Sequence, residues 1–300
     1  MAFLRKRIMT ILLVMLGIFS LSLVFVLVSM KLPEVSTPKE IVLLRLEGTI
    51  GSAGALGGYA EIDRRRVRSI LSELGDDPLV SAVVIEVSSP GGDAAGTLDL
   101  ANSIRALAGK KPVVTFSTDV AASGGYWLLA SGNRTIVSPL AIVGSIGVIS
   151  ETIDASKLLE KIGVNITTTK AGKYKDAGSL SKPLTFEEQE QFQELVDKVH
   201  EEFISGISEA RGLSREELLN LSQGQVFLGR DAISLRLADS LGDEDSAIEE
   251  AKEISNCEAC MVSEISIATD WERLVGQFAA TFGRSFGLSF ISGISTSSKV

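Results

Sequence analysis

Residues 82–127 read AVVIEVSSPGGDAAGTLDLANSIRALAGKKPVVTFSTDVAASGGYW, and their pattern decides the class of fold. Ala82–Val87 is apolar and mostly β-branched, as a strand covered on both faces must be. Ser89-Pro90-Gly91-Gly92 ends it, because proline blocks further pairing and glycine permits positive φ. Gly96–Ala108 then repeats apolar residues at helical spacing, with Leu100, Ile104 and Leu107 on one face. Pro112–Phe116 (PVVTF) is a second buried strand, followed by the small residues Ala121-Ala122-Ser123-Gly124-Gly125. Strand, helix and strand in this order make a βα unit, the building block of a parallel sheet.

The alternation continues on both sides. Ile41–Leu46 (IVLLRL), Thr135–Val137, Ile142–Ile149 and Val164–Thr169 (VNITTT) read as strands, and Ile62–Leu74 and Asp154–Ile162 as helices. After Pro183 the chain turns helical. Thr185 is placed to cap a helix reaching Arg211, with Glu187 and Glu188 in its first turn and an apolar stripe through Phe192, Leu195, Val196, Val199, Phe203, Ile204 and Ile207. Ser214 and Glu217 have capping-box spacing, and Asp231–Ala238 and Asp243–Ile254 read as further helices. The expected class is α/β, a mostly parallel sheet with a helical C-terminal part.

Composition narrows the chemistry. The chain of 300 residues has a formal charge of −9, but residues 1–31 carry Arg5, Lys6, Arg7 and Lys31 with no acid, which leaves −13 on the rest. An acidic body does not suit binding along a polyanion, so no nucleic-acid partner is expected. One histidine and two cysteines exclude most zinc sites and any disulfide-stapled mini-domain, so no metal is expected either.

Residues 8–30 carry no charge and are almost wholly apolar. A spanning helix needs about 20 such residues, whereas a cleaved signal has an apolar core of about 7–15. We read a transmembrane signal anchor over 8–30 after a cytoplasmic basic segment, 1–7, since basic residues stay on the cytoplasmic side. Residues 31–40 (KLPEVSTPKE), with two of the seven prolines, form an extended linker. The expected location is the cell membrane, single-pass, with a folded body at 41–255 outside the cytoplasm. Residues 256–300 make a tail of unknown role, holding Cys257 and Cys260 and the aromatic series Trp271, Phe278, Phe282, Phe286 and Phe290. The C-x-x-C pair reads as a redox pair or a strained disulfide.

Three glycine turns follow strands, where α/β proteins bind ligands. Backbone N–H groups of the Ser89–Gly92 turn can face a cleft. Ser123 sits among residues small enough to let a substrate reach its hydroxyl, and a helix start behind it offers N–H donors to an oxyanion. A plain serine N-cap is the other reading of the same residues. Serine needs a base at neutral pH. The sole histidine, His200, lies in the acidic helical segment VDKVHEEF and reads as a surface or interface residue. A lysine becomes a base when burial lowers its pKa from about 10.4. Lys170, Lys173 and Lys175 follow VNITTT in one turn. Ser145, in Gly144-Ser145-Ile146-Gly147-Val148, has an apolar setting in which its hydroxyl needs a partner such as a neutral lysine or the backbone.

Together S-P-G-G at 89–92, A-A-S-G-G-Y at 121–126, G-S-I-G-V-I at 144–149 and G-x-Y-K-D at 172–176 resemble the signal peptide peptidase A family of membrane serine proteases, within the Clp/crotonase-like fold group. A weaker match lies at 228–242, where Leu237-Ala238 replaces the family's Gly-Leu. The resemblance spans roughly residues 41–250. It implies Ser123 as nucleophile, Lys175 as general base, Gly124 and Gly92 as oxyanion donors in preference to Gly91, and Ser145 as the residue orienting the lysine. It implies no cofactor, peptide substrates left at the membrane by signal cleavage, and a homo-oligomeric ring able to set Ser123 of one copy beside Lys175 of the next. A small apolar pocket for the residue before the cut is expected from the surrounding Ala, Gly and Ile. Two rival readings are an inactive membrane scaffold of the same fold and a crotonase-type acyl-CoA enzyme.

Overall fold

Apolar residues that alternate along a strand must be covered on two sides, and the elements here supply both covers. The computed structural model describes residue 9 and residues 15–22, 39–51 and 61–265. Helix α1 is seen over residues 15–22, and its side chains are exposed. It belongs to a unit, Met1–Pro38, separate from Lys39–Val300. Most of the anchor expected at 8–30 and the tail beyond 265 lie outside the described residues. Among the described residues no helix is long and apolar enough to cross a membrane.

In chain order the body runs β1 (Glu40–Glu47), β2 (Thr49–Ile50), β3 (Glu61–Ile62), α2 (Arg64–Asp76), β4 (Val80–Ser88), α3 (Ala94–Ala108), β5 (Val113–Ser117), β6 (Val120–Ala122), α4 (Gly124–Ala130), β7 (Arg134–Val137) and β8 (Ile142–Gly144). It continues with α5 (Ser156–Lys161), α6 (Phe186–Arg211), α7 (Arg215–Leu219), β9 (Val226–Leu228), α8 (Gly229–Ser234), β10 (Ser240–Leu241), α9 (Glu244–Ser255) and β11 (Met261–Ile265).

Six strands form the main sheet in the order β10-β7-β5-β4-β1-β11, and every pairing in it is parallel. The period of two sorts its side chains. Val42, Leu44, Val83, Ile85 and Val87 enter one core with Val67 and Leu71 of α2, Leu100 and Ile104 of α3, and Ile204 and Ile207 of α6. Their neighbours Ile41, Leu43, Ala82 and Val84 enter a second core with Ala247 and Ala251 of α9. Sheet pairing continues past residue 255, since β11 adds to β1 with Val262 opposite Ile41. The Cys257–Cys260 disulfide stands just ahead of that strand.

A second, three-stranded sheet, β6-β8-β9, leads into the turns at Ser123 and Ser145; β6 and β8 run parallel and β9 antiparallel. The caps expected at Thr185 and Ser214 form as full capping boxes with Glu188 and Glu217. Three expectations need correction. Val164–Thr169 is an exposed stretch and not a strand, because no sheet edge pairs with it. The strand expected over Ile142–Ile149 ends at Gly144, where positive φ turns the chain away. The stripe of α6 is fully buried only from Phe203 onward; Phe192, Val196 and Val199 are half-buried and Leu195 is exposed.

Candidate active site

Two parallel strands of the small sheet end level with each other. Their register pairs Ala121 with Val143 and Ala122 with Gly144, so the next residues on each strand are Ser123 and Ser145. Both have positive φ, 52° at Ser123 and 51° at Ser145. Side chains other than glycine rarely adopt such angles, and backbone strain of this kind collects at functional sites. Ser123 is pinned there by its N–H, which donates to Gly144 O at 2.8 Å, and Ser145 by its N–H to Gln225 O at 2.8 Å.

The Ser89–Gly92 turn closes against the same point. Ser89 N–H donates to Val120 O and Ala122 N–H to Ser89 O, tying the turn to β6. On its other side Ile50 N–H donates to Gly91 O and Asp93 N–H to Ile50 O, which binds it to β2. Glycine is required here by space. A Cβ at Gly91 would stand 2.8 Å from Ser123 Cβ, and one at Gly92 would stand 1.9 Å from Ile50 O. At Gly124 it would meet Thr97 Oγ1 at 2.4 Å, and at Gly125 Ser89 O at 2.4 Å.

Backbone donors are left over at this junction. The first helical bond of α4 runs from Tyr126 N–H to Ser123 O, so the Gly124 and Gly125 N–H groups precede it. Gly92 N–H bonds no acceptor among the described residues, whereas Gly91 N–H is taken by Ser89 Oγ at 3.2 Å.

A cavity of about 770 Å³ opens on these groups and is lined by Gly92, Ser123, Gly124 and Ser145 together with Thr97, Trp127, Phe203 and Ser222. Its size is that of a ligand site. Four of the five residues expected at the site are therefore brought together. The fifth is not. Lys175 is exposed, is absent from the cavity wall, and its amine has no hydrogen-bond or ion-pair partner among the described residues. Its neighbours are engaged: Lys170 pairs with Asp176 at 2.5 Å, and Lys173 lies over the Tyr174 ring at 5.1 Å. The hydrogen bond from Lys170, with its charge and that of Lys182, holds the Asp176 carboxyl below the usual range despite some loss of water.

The cavity also departs from the small apolar pocket expected from the sequence. Gln193, Asp197, His200 and Gln223 share its wall with Val196 and Val199. His200, read as a surface or interface residue, is a wall residue with a buried Nε2. Its position i−3 from Phe203, which stacks on Trp127 with ring centroids 4.8 Å apart, was the available signal. Among the described residues no group of His, Cys, Asp and Glu is placed to hold a metal.

Residues 105–258, which hold Ser123, Ser145 and Lys175, match peptidase family S49. The chain belongs to that family. As an S49 member it resembles a protein of Methanocaldococcus jannaschii that bears a protease name, at 34% identity over 226 residues, covering 75% of this chain and 71% of that protein. The chloroplastic serine protease SPPA of Arabidopsis thaliana is 34% identical over 221 residues, 72% of this chain and 32% of that one. Protease 4 of Salmonella typhi is 36% identical over 180 residues, 60% of this chain and 29% of that one. This S49 chain thus spans about a third of the length of the latter two relatives. Within the S49 match fall the small sheet, α4 and the whole of α6, while the Ser89–Gly92 turn precedes it.

Proposed function

We propose that this chain is a membrane-anchored serine endopeptidase with a Ser–Lys dyad completed between neighbouring copies. The observation that carries the reading is Ser123, held at positive φ against Gly91 on the cavity that Gly92, Gly124 and Ser145 share. Lys175 of a neighbouring copy takes the Ser123 proton, and the Ser123 oxygen bonds the peptide carbonyl carbon. The N–H groups of Gly124 and Gly92 receive the oxyanion, a contribution of about 10²–10³ in rate for one donor. Collapse expels the amine with the proton from the lysine, and water then hydrolyses the acyl-enzyme. Ser145 orients the lysine amine.

Supply of the base from another copy is supported by the surface around it. Helix α5 buries no side chain, and Ile149, Ile153, Leu158 and Ile162 are exposed, Ile149 by 84%. Phe186, at the start of α6, is 70% exposed. So large an apolar surface beside an unpartnered lysine suits an interface between copies in a ring. Cover by that copy removes water from the amine and favours its neutral, basic form. The apolar run at 8–30 supports anchoring, and the Cys257–Cys260 disulfide suits an oxidising compartment outside the cytoplasm. Peptides left at the membrane after signal cleavage are the substrate class, with no cofactor.

The test is complementation. Ser123→Ala and Lys175→Ala each lose peptidase activity by at least about 10³-fold, comparable to loss of a catalytic dyad member. A co-assembled mixture of the two regains part of it, because one copy supplies serine and another lysine. No regain refutes the shared site. His200, in the cavity wall of the same chain, carries the second reading as base; it predicts that Lys175→Ala stays active. A reporter fused after residue 40 and active only in the cytoplasm overturns the topology.

A further inference from the structure

Five side-chain polar atoms among the described residues are buried without a hydrogen-bond partner: Thr97 Oγ1, Ser117 Oγ, Trp127 Nε1, His200 Nε2 and Ser222 Oγ. All but Ser117 belong to residues that line the cavity beside Ser123. Protein interiors rarely leave such groups unpaired, so a cluster of them around one cavity marks where partners arrive from outside. Thr97, Trp127 and Ser222 are 2%, 3% and 0% exposed, so packing holds each of them in place in the wall.

Thr97 shows that this is a choice of the site and not of the residue type. Other helical hydroxyls find a partner: Ser103 bonds Asp99 O at 2.8 Å, Ser131 Trp127 O at 2.7 Å and Ser255 Ala251 O at 2.6 Å, each one turn back, while Ser69 bonds Glu73 Oε1 at 2.9 Å and Ser208 bonds Leu213 O at 2.6 Å. Thr97, in the first turns of α3, makes no such bond and lies against Gly124. The chemistry of the four groups limits the occupant. An indole N–H only donates, so the occupant brings an acceptor, while the hydroxyls and the imidazole either donate or accept. Asp197, whose Oδ1 accepts from Gln193 Nε2 at 2.7 Å, stands in the same wall and repels a carboxylate.

We propose that this cavity is a subsite for an uncharged hydrogen-bonding side chain of the peptide, an amide or a hydroxyl, in place of a small apolar one. The proposal rests on the peptidase reading, but its test does not need turnover. Binding is measured to the full chain carrying Ser123→Ala, with peptides in which each position is varied between the near-isosteric pairs Asn and Leu, and Thr and Val. At one position Asn over Leu, or Thr over Val, is favoured about tenfold or more, the size of one buried hydrogen bond. Added one at a time, Thr97→Val and Ser222→Ala keep the shape of the wall and Trp127→Phe keeps an aromatic ring there, and at least one of the three reduces that preference to within twofold. Neither Thr97→Val nor Ser222→Ala lowers the melting temperature of the peptide-free protein, because each removes an unpaired group; a hydroxyl with a structural role would lower it on removal. Leu and Val peptides bound as tightly at every position, or a preference that survives all three replacements, overturns the subsite. Absence of cleavage by the unaltered protein strikes the peptidase reading alone, and the binding comparison still decides the subsite.

Discussion

Gly91→Ala isolates the contact on which the site is built. Gly91 has φ of 109°, a region that side chains rarely enter, and its added Cβ would lie 2.8 Å from Ser123 Cβ, 3.0 Å from Gly124 N and 3.1 Å from Ala122 O. Two costs combine. The backbone strain is about 1–2 kcal/mol, and crowding in a packed site adds about 1–3 kcal/mol. All three crowded atoms belong to the turn at Ala122–Gly124, two of them backbone, so relief comes by moving Ser123. Gly212→Ala serves as the control. It has φ of 60° with nothing within 4 Å, so it carries strain without contact. For a domain of this size about 1 kcal/mol shifts the midpoint by about 2–4 °C. Gly212→Ala is expected to melt about 2–8 °C lower with full activity, and Gly91→Ala about 4–20 °C lower with peptide cleavage reduced at least about 100-fold at temperatures where it is folded. Melting followed by circular dichroism and cleavage of a fluorogenic peptide read both quantities. Wild-type turnover in Gly91→Ala, or equal loss of turnover in Gly212→Ala, refutes the reasoning.

Two further outcomes follow from the body of the fold. Burial pushes the Asp239 carboxyl up, but the hydrogen bond and charge of Arg211 outweigh it and hold the pKa below its ordinary 3.8. A depressed acid stabilises above its unfolded pKa and loses that stability as pH falls through its folded value. Asp239→Asn therefore costs about 2 kcal/mol at pH 7, between exposed and buried pairs, and the difference from wild type in urea unfolding fades below about pH 4. A difference that grows on acidification is the opposite sign and rejects this. Reduction of Cys257–Cys260, which closes a very short loop before β11, costs about 2 kcal/mol. A melting curve unchanged by a dithiol reductant would count against any part for the disulfide in holding β11.

The parallel sheet, its βα units, the capping boxes at Thr185 and Ser214 and the glycine turns were legible in the sequence. Each is set by local physics, namely side-chain period, proline and glycine conformational limits, and the spacing of a cap to the third residue of its helix. The turns that hold Ser123, Gly124, Gly92 and Ser145 were legible for the same reason, since each follows a strand where the chain must turn. VNITTT misled because β-branched residues favour a strand only where an edge is there to receive one, and edges are tertiary objects. His200 was misjudged because the helix it lies on is acidic and polar around it, and only the stacking of Phe203 on Trp127 turns that face to the cavity.

What the chain of letters determined, then, is the succession of strands and helices and the turns of small residues that end several strands, because both follow from interactions between residues near in sequence. What only the assembled structure decided is which distant groups share a cavity with that hydroxyl. It brought Thr97, Trp127, His200 and Ser222 to the wall with their polar atoms unpaired, and it left Lys175 exposed and outside that wall. Proximity of that kind depends on how α3, α4 and α6 pack over the sheet, and no local pattern encodes it.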